Sequence, residues 1–199
     1  FDDFSYGVGH VCLSCALAPG SLWRSIWAAA RAPITYDFAV KNSINILSWP
    51  FTRPMAEAEL YRERLDEAMA NNPGKPRPVF AMMRHTAVYD SAADSMVPVR
   101  AVQAVLSQFE NLYKNLGDVQ NGFPASIELK ELENREEYNP NMLQENLMFG
   151  TPEEVIAKLR KYEALGVDQF TYYASMGLGR REQKRSLELF INEVMPAFA

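Results

Sequence analysis

The chain of 199 residues is long enough to bury one sizeable core, and its 48% hydrophobic and 23% charged content is ordinary for a globular protein. Its 25 acidic and 20 basic side chains leave a net charge of −5, which offers no basic face for nucleic acid. No apolar run approaches the ~20 residues that cross a bilayer, and the start lacks the basic-then-apolar layout of a signal peptide; a cytoplasmic location is therefore expected.

The first 25 residues show no clear period. Within them Cys12 and Cys15 form a Cys-x-x-Cys pair with His10 just upstream. A structural zinc site usually needs four such ligands, and the only other histidine is His85. Buried or idle thiols are expected here, with no metal.

Regular patterning starts near Leu22. Ile26 to Ala30 is a short apolar run, and Pro33 to Val40 reads as a helix opened by proline in its first turn. Ile44 to Trp49 follows as a buried strand ended by Pro50 and Pro54. Met55 to Asn72 is a long helix broken by Asn72-Pro73-Gly74-Lys75-Pro76. Val79 to Val88 is a third strand. A second long helix is expected from about Ala92 to Leu116, interrupted by Pro98 and closed by Gly117.

Residues 118–146 lack a clean period and read as a surface excursion. Leu147 to Gly150 then leads into Thr151-Pro152-Glu153-Glu154, with Thr as N-cap, Pro at the first helical position and Glu three residues after the cap. Gly166 stops that helix, and Val167 to Tyr173 is a fourth strand. The closing helix carries Leu187, Phe190, Ile191, Val194 and Met195 at spacings of three and four.

Strands alternating with amphipathic helices predict βαβ units, a parallel sheet and an α/β fold. About four such units are half of the eight that a closed barrel needs. An open doubly wound sheet fits the same count, but no glycine-rich phosphate fingerprint follows any strand.

Three stretches resemble the luciferase-like flavin-dependent monooxygenase family. The first is Ala28-Ala29-Ala30-Arg31-Ala32-Pro33-Ile34-Thr35-Tyr36-Asp37-Phe38-Ala39, running into Ile46-Leu47-Ser48-Trp49. The second is Arg77-Pro78-Val79-Phe80-Ala81 with Arg84-His85-Thr86. The third is Phe149-Gly150-Thr151-Pro152-Glu153-Glu154-Val155, then Gly166 to Phe170, ending in Ser186 to Phe190 and Val194-Met195-Pro196. Their order places the resemblance over roughly residues 22–199.

The resemblance implies a TIM-type (β/α) barrel, here partial: a single domain over residues 1–199 matching the fifth to eighth βα units, with 1–21 a poorly matching lead-in. It implies reduced FMN, or in one branch F420, acting with oxygen on a small-molecule substrate. It also implies that the loop after the first strand of this chain, Arg31 to Thr35, holds the flavin phosphate. Arg31 then supplies charge, Ala32 a backbone N–H and Thr35 a hydroxyl. The family commonly has Ser where Ala32 stands. Trp49 falls where the family can place a ring near the isoalloxazine; packing under Pro50 and Phe51 is the alternative.

His85 lies within a strand and reads as a hydrogen-bonded packing residue, with an acid or base in the barrel lumen as the second reading. Gly177 and Gly179 read as chain turns, with admission of a phosphate or ring edge at the barrel mouth as the second reading; Arg180 and Arg181 read as a solvated helix start, with one of them reaching a phosphate as the alternative. The family's oxygen- and substrate-facing residues lie mainly on the first four βα units, so the catalytic residues are not named, and a truncation or an altered reading of the gene is expected. An incomplete barrel leaves sheet edges and apolar surface open, which predicts a homo-oligomer. Two functions remain: an FMN-dependent oxidoreductase whose other half is supplied by oligomerisation or has been lost by truncation, or a non-catalytic relic of the fold that binds flavin or is merely structural.

Overall fold

The structure, a computed structural model, describes residues 26–114, 119–124, 128, 130–131 and 134–199. His10, Cys12, Cys15 and the 1–21 lead-in lie outside them, as does the helix end expected at Leu116–Gly117. The chain divides into two compact units. The first holds residues 26–50 with Met55–Met83 and Tyr162–Thr171; the second holds Phe51–Pro54, Arg84–Lys161 and Tyr172–Ala199.

In the first unit, β1 (Trp27–Ala29) pairs in parallel with β2 (Asn45–Ser48), and β2 with the start of β3 (Phe80–Val88). The registers are Ala28 to Ile46 and Leu47 to Ala81. Nearly every residue of β3 is buried, as in a central strand covered on both faces. Two helices accompany these strands and pack on each other: α1 (Pro33–Lys41) and α2 (Met55–Asn71). Their buried positions, Tyr36, Ala39 and Val40 on α1 and Ala58, Tyr61, Leu65 and Ala68 on α2, recur at helical spacing.

The last strand, β7 (Gln169–Ala174), enters this unit through Asp168. The Asp168 amide donates to the Phe80 carbonyl at 2.9 Å, and its Oδ2 accepts from the Phe80 amide at 2.8 Å and from Arg77 at 2.6 Å. Ahead of it, Gly166 takes φ +80, its amide bonds to Glu163 and the Val167 amide to Tyr162. That paired arrangement is a Schellman stop, and it needs a left-handed residue, which is why glycine closes the helix.

In the second unit the end of β3 pairs in parallel with β6 (Met148–Gly150), Ala87 opposite Phe149. The Ser175 amide donates to Thr86. Together with the Asp168 bond to Phe80, this advances in the same direction along both strands, so β7 also lies parallel beside β3. The four expected strands are thus present and adjacent in the expected order. β6 is a fifth strand where only a lead-in was expected, its three residues too short to register as a run.

Among the described residues, α3 (Met96–Lys114), the short α4 (Pro140–Asn146) and α6 (Arg180–Leu189) belong to this unit, as does most of α5 (Pro152–Ala164), whose last residues fall in the first. Pro98 falls in the first turn of α3 and does not interrupt it, because first-turn amides have no intrahelical acceptor to lose. Residues 118–146 contain structure that the lack of period concealed. A hairpin joins β4 (Val119–Gln120) to β5 (Phe123–Pro124) through Asn121 and Gly122, both at positive φ. Asn-Gly is the expected sequence for such a turn. Asn139 caps α4, its side chain accepting from the Asn141 amide at 3.0 Å.

The capping signal at Thr151 is realised: Glu154 accepts the Thr151 amide at 2.8 Å. Further along α5, the Lys158 ammonium donates to the carbonyls of Gln144, Leu147 and Phe149 at 2.6–2.8 Å, tying α4 and β6 together. Burial lowers its pKa to about 8. After α6 the chain passes through a π-helical turn, Phe190–Val194. The closing apolar stripe divides there: Phe190 and Val194 are buried, while Leu187, Ile191 and Met195 are about half exposed.

Candidate functional site

β1 ends against β2, and this junction builds the loop at residues 30–35. The Ala30 amide donates to Leu47, and Ser48 Oγ donates to the Ala30 carbonyl at 3.0 Å. With the only Ser48 hydroxyl proton so used, Tyr36 is the donor in the 2.5 Å bond between the two hydroxyls. Burial pushes the Tyr36 phenol well above its ordinary pKa, which keeps it a donor. One residue on, the Arg31 carbonyl accepts from the Arg64 guanidinium.

These two anchors have a directional consequence. In a trans peptide the C=O and the following N–H point in opposite directions. Fixing the Ala30 and Arg31 carbonyls toward Ser48 and Arg64 therefore turns the amides of Arg31 and Ala32 the other way. Ala32 is extended, at φ −79 and ψ 147, and occupies the N-cap of α1 with no side-chain cap; Pro33 follows at the first helical position. The start of α1 thus presents backbone donors at the positive end of the helix.

Of the residues expected here, Arg31 is exposed, Ala32 half-buried and Thr35 only 2% exposed, its amide bonded to the Ala32 carbonyl at 3.0 Å. Thr35 is tucked beneath the loop, whereas Ile34 beside it is 77% exposed. Trp49 is half-buried and directly follows Ser48, whose hydroxyl holds the loop's first carbonyl. Tyr36, Ser48 and Arg64 were not among the expected site residues. A helical signal did exist for Arg64. It lies three residues after Tyr61 and four before Ala68, on the face those buried residues define.

The second unit carries a different cluster. His85 is fully buried, its ring centroid 4.8 Å from that of Tyr173 and 6.2 Å from that of Phe51. Burial, with the neighbouring Arg84 charge second, lowers its pKa to about 4. It is therefore neutral at pH 7, in keeping with a packing residue. Arg84 is also fully buried and donates to the carbonyls of Phe51 at 2.9 Å, Arg53 at 2.7 Å and Pro54 at 3.5 Å. Asn146 donates to the fourth carbonyl of that segment, Thr52, at 3.0 Å. These bonds hold Phe51 at φ 55, in the left-handed region that a bulky residue rarely occupies.

Gly177 and Gly179 serve the backbone. Gly177 has φ +82, and a Cβ there would fall 2.3 Å from the Ala101 carbonyl. The Glu182 carboxylate occupies the space beside Gly179, which disfavours an anion at the start of α6; Arg180 and Arg181 are exposed. Among the described residues, no group of three or more His, Cys, Asp or Glu is placed to hold a metal ion, and no helix is long and apolar enough to cross a membrane.

The family model described as luciferase-like monooxygenase matches residues 14–169. The chain belongs to the luciferase-like monooxygenase family. It is 33% identical over 174 residues to the oxygenase component of the flavin-dependent trigonelline monooxygenase of Acinetobacter baylyi, an alignment covering 87% of this chain and 48% of that protein. Among solved structures it resembles the monooxygenase RslO1 from Streptomyces bottropensis, with TM-score 0.59 and 14% identity, over 86% of this chain and 47% of that one. An F420-dependent secondary alcohol dehydrogenase gives TM-score 0.55 at 18% identity, over 87% and 48%. The chain thus spans about half the length of these relatives, and the fold is an α/β, partial TIM-type barrel. The family match begins earlier than the residue 22 expected from the quoted stretches and ends at residue 169, short of the expected 199.

Proposed function

We propose that this chain supplies the FMN-binding part of a cytoplasmic luciferase-like monooxygenase, acting on a small-molecule substrate with oxygen. The flavin phosphate sits at the start of α1 near Arg31, Ala32 and Thr35, with Trp49 beside the ring system. The observation that carries this reading is the pair of anchored carbonyls at Ala30 and Arg31, which turns two amides outward at a helix N-terminus beside an exposed guanidinium. Donors already fixed by the fold need no reordering to receive a phosphate. Flavin dependence of the Acinetobacter relative supports the same cofactor class, and reduced flavin supplies the electrons that activate oxygen. FMN is preferred to F420 in this reading.

Titration of FMN by fluorescence quenching tests it. Thr35→Ala weakens binding by ~1–2 kcal/mol, the scale of losing a single hydrogen bond, and Arg31→Ala by at least as much. Ala32→Ser restores a cap hydroxyl and tightens binding. Equal affinity in all three variants and the parent contradicts the site.

The chain is expected to form a homo-oligomer. Among the described residues β1 pairs only with β2, and β7 only with β3, which leaves strand edges open. Leu187, Ile191 and Met195 present an apolar row at helical spacing on the chain's last helical segment. Light scattering at micromolar concentration is expected to show a dimer or larger species. A monodisperse monomer contradicts the assembly.

A further inference from the structure

Two arginines bear on the start of α1. Arg31 belongs to the loop itself, and Arg64 reaches it from α2, donating to the Arg31 carbonyl while its charge stands 5.7 Å from the Tyr61 ring centroid. Both charges act on the Tyr61 phenol, which burial pushes up to about 12 and whose hydroxyl donates to Glu57. Tyr61 in turn packs against Tyr36, with ring centroids 6.3 Å apart. The charged groups that act on Tyr61 are Arg31, Arg64 and Glu57, two of them cations.

We propose that Arg64 is a specificity-determining residue that, with Arg31, selects a ligand ending in a doubly charged phosphate monoester over one carrying an internal, singly charged phosphodiester. The inference rests on the loop being the flavin-phosphate site and adds the residue that sets the charge it accepts. Arg64 has two effects there. Its hydrogen bond aims the Ala32 amide outward, and its charge raises the potential at the helix start, where amides alone offer only about half an elementary charge. A second net negative charge on the phosphate is worth most where the corner is positive.

The test compares three probes on the whole chain: FMN, its singly charged 5′-methyl diester, and riboflavin, which has no phosphate. The parent is expected to bind FMN most tightly. Arg64→Met weakens FMN by about tenfold or more and the diester less, while riboflavin stays within about twofold. Arg64→Lys, which keeps the charge on a single donor group, falls between parent and Met. Thermal denaturation of each variant confirms that the comparison is between folded proteins. If Arg64→Met weakens all three probes equally, Arg64 is an anchor of the fold only and the proposal is overturned. If the parent prefers FMN and the Met variant keeps that preference, the site stands but Arg64 does not set its charge. If the parent does not distinguish FMN from riboflavin, the phosphate site itself is wrong, and the role of Arg64 with it.

Discussion

Replacing Arg84 by methionine is expected to lower the stability of the chain by about 3–5 kcal/mol in urea denaturation, an unusually large loss for a single change. Arg84 is fully buried, and its guanidinium donates to three carbonyls of the short segment after β2. Methionine keeps the aliphatic stem but ends about where the guanidinium begins, so the change removes the donors and also leaves the space of the guanidinium head unfilled. Hydrogen bonds from a charged donor are each worth ~1.5–3 kcal/mol, and relief of the desolvated charge offsets part of their loss. The carbonyls of Phe51, Arg53 and Pro54 would need new donors or water in a place the fold now keeps closed. Arg84→Lys should recover less than half of the loss, since an ammonium lacks the planar fork that serves several carbonyls at once. A loss below ~1 kcal/mol for the methionine variant would show that the segment holds its shape without Arg84.

The second large effect is a dependence of stability on acid, centred on His85. Its folded-state pKa is about 4, whereas an exposed histidine titrates near 6.5. Because the folded pKa is the lower one, the unfolded chain binds the proton more tightly. Stability from this residue is complete above pH ~6.5, declines as pH falls, and is lost below pH ~4. The difference corresponds to about 3 kcal/mol. Carboxylates elsewhere also contribute to acid unfolding, so the comparison is between the parent and His85→Leu at pH 7 and pH 4. The parent should lose about 3 kcal/mol more than the variant across that interval. Parallel losses in both would mean that the ring takes up its proton while folded without penalty.

The two residues differ in how far the sequence revealed them. A strand histidine among apolar neighbours already reads as packing, and the 4.8 Å approach of Tyr173 agrees with that. Nothing in the pattern around Arg84 marks a buried cation, because its acceptors are backbone carbonyls some thirty residues away. The four expected strands were legible because each is a short apolar run bounded by Gly, Pro or polar residues. Gly166 and Glu154 were legible because helix ends depend on neighbours within a few residues. β6 was not, since its place is set by pairing with β3 rather than by its own length. The same contrast holds at the candidate site. Pro33 marked the helix start, but the bonds that orient the loop come from Ser48 and Arg64, on other elements.

The location of the phosphate is the claim on which the functional reading depends, and backbone amide chemical shifts of the 15N-labelled chain titrated with FMN report on it residue by residue. One FMN per chain is expected, with the largest shifts at the amides of Arg31, Ala32, Ile34 and Thr35, and little change there when riboflavin replaces FMN. Saturable shifts centred on other residues, or none in the loop at millimolar FMN, would contradict it.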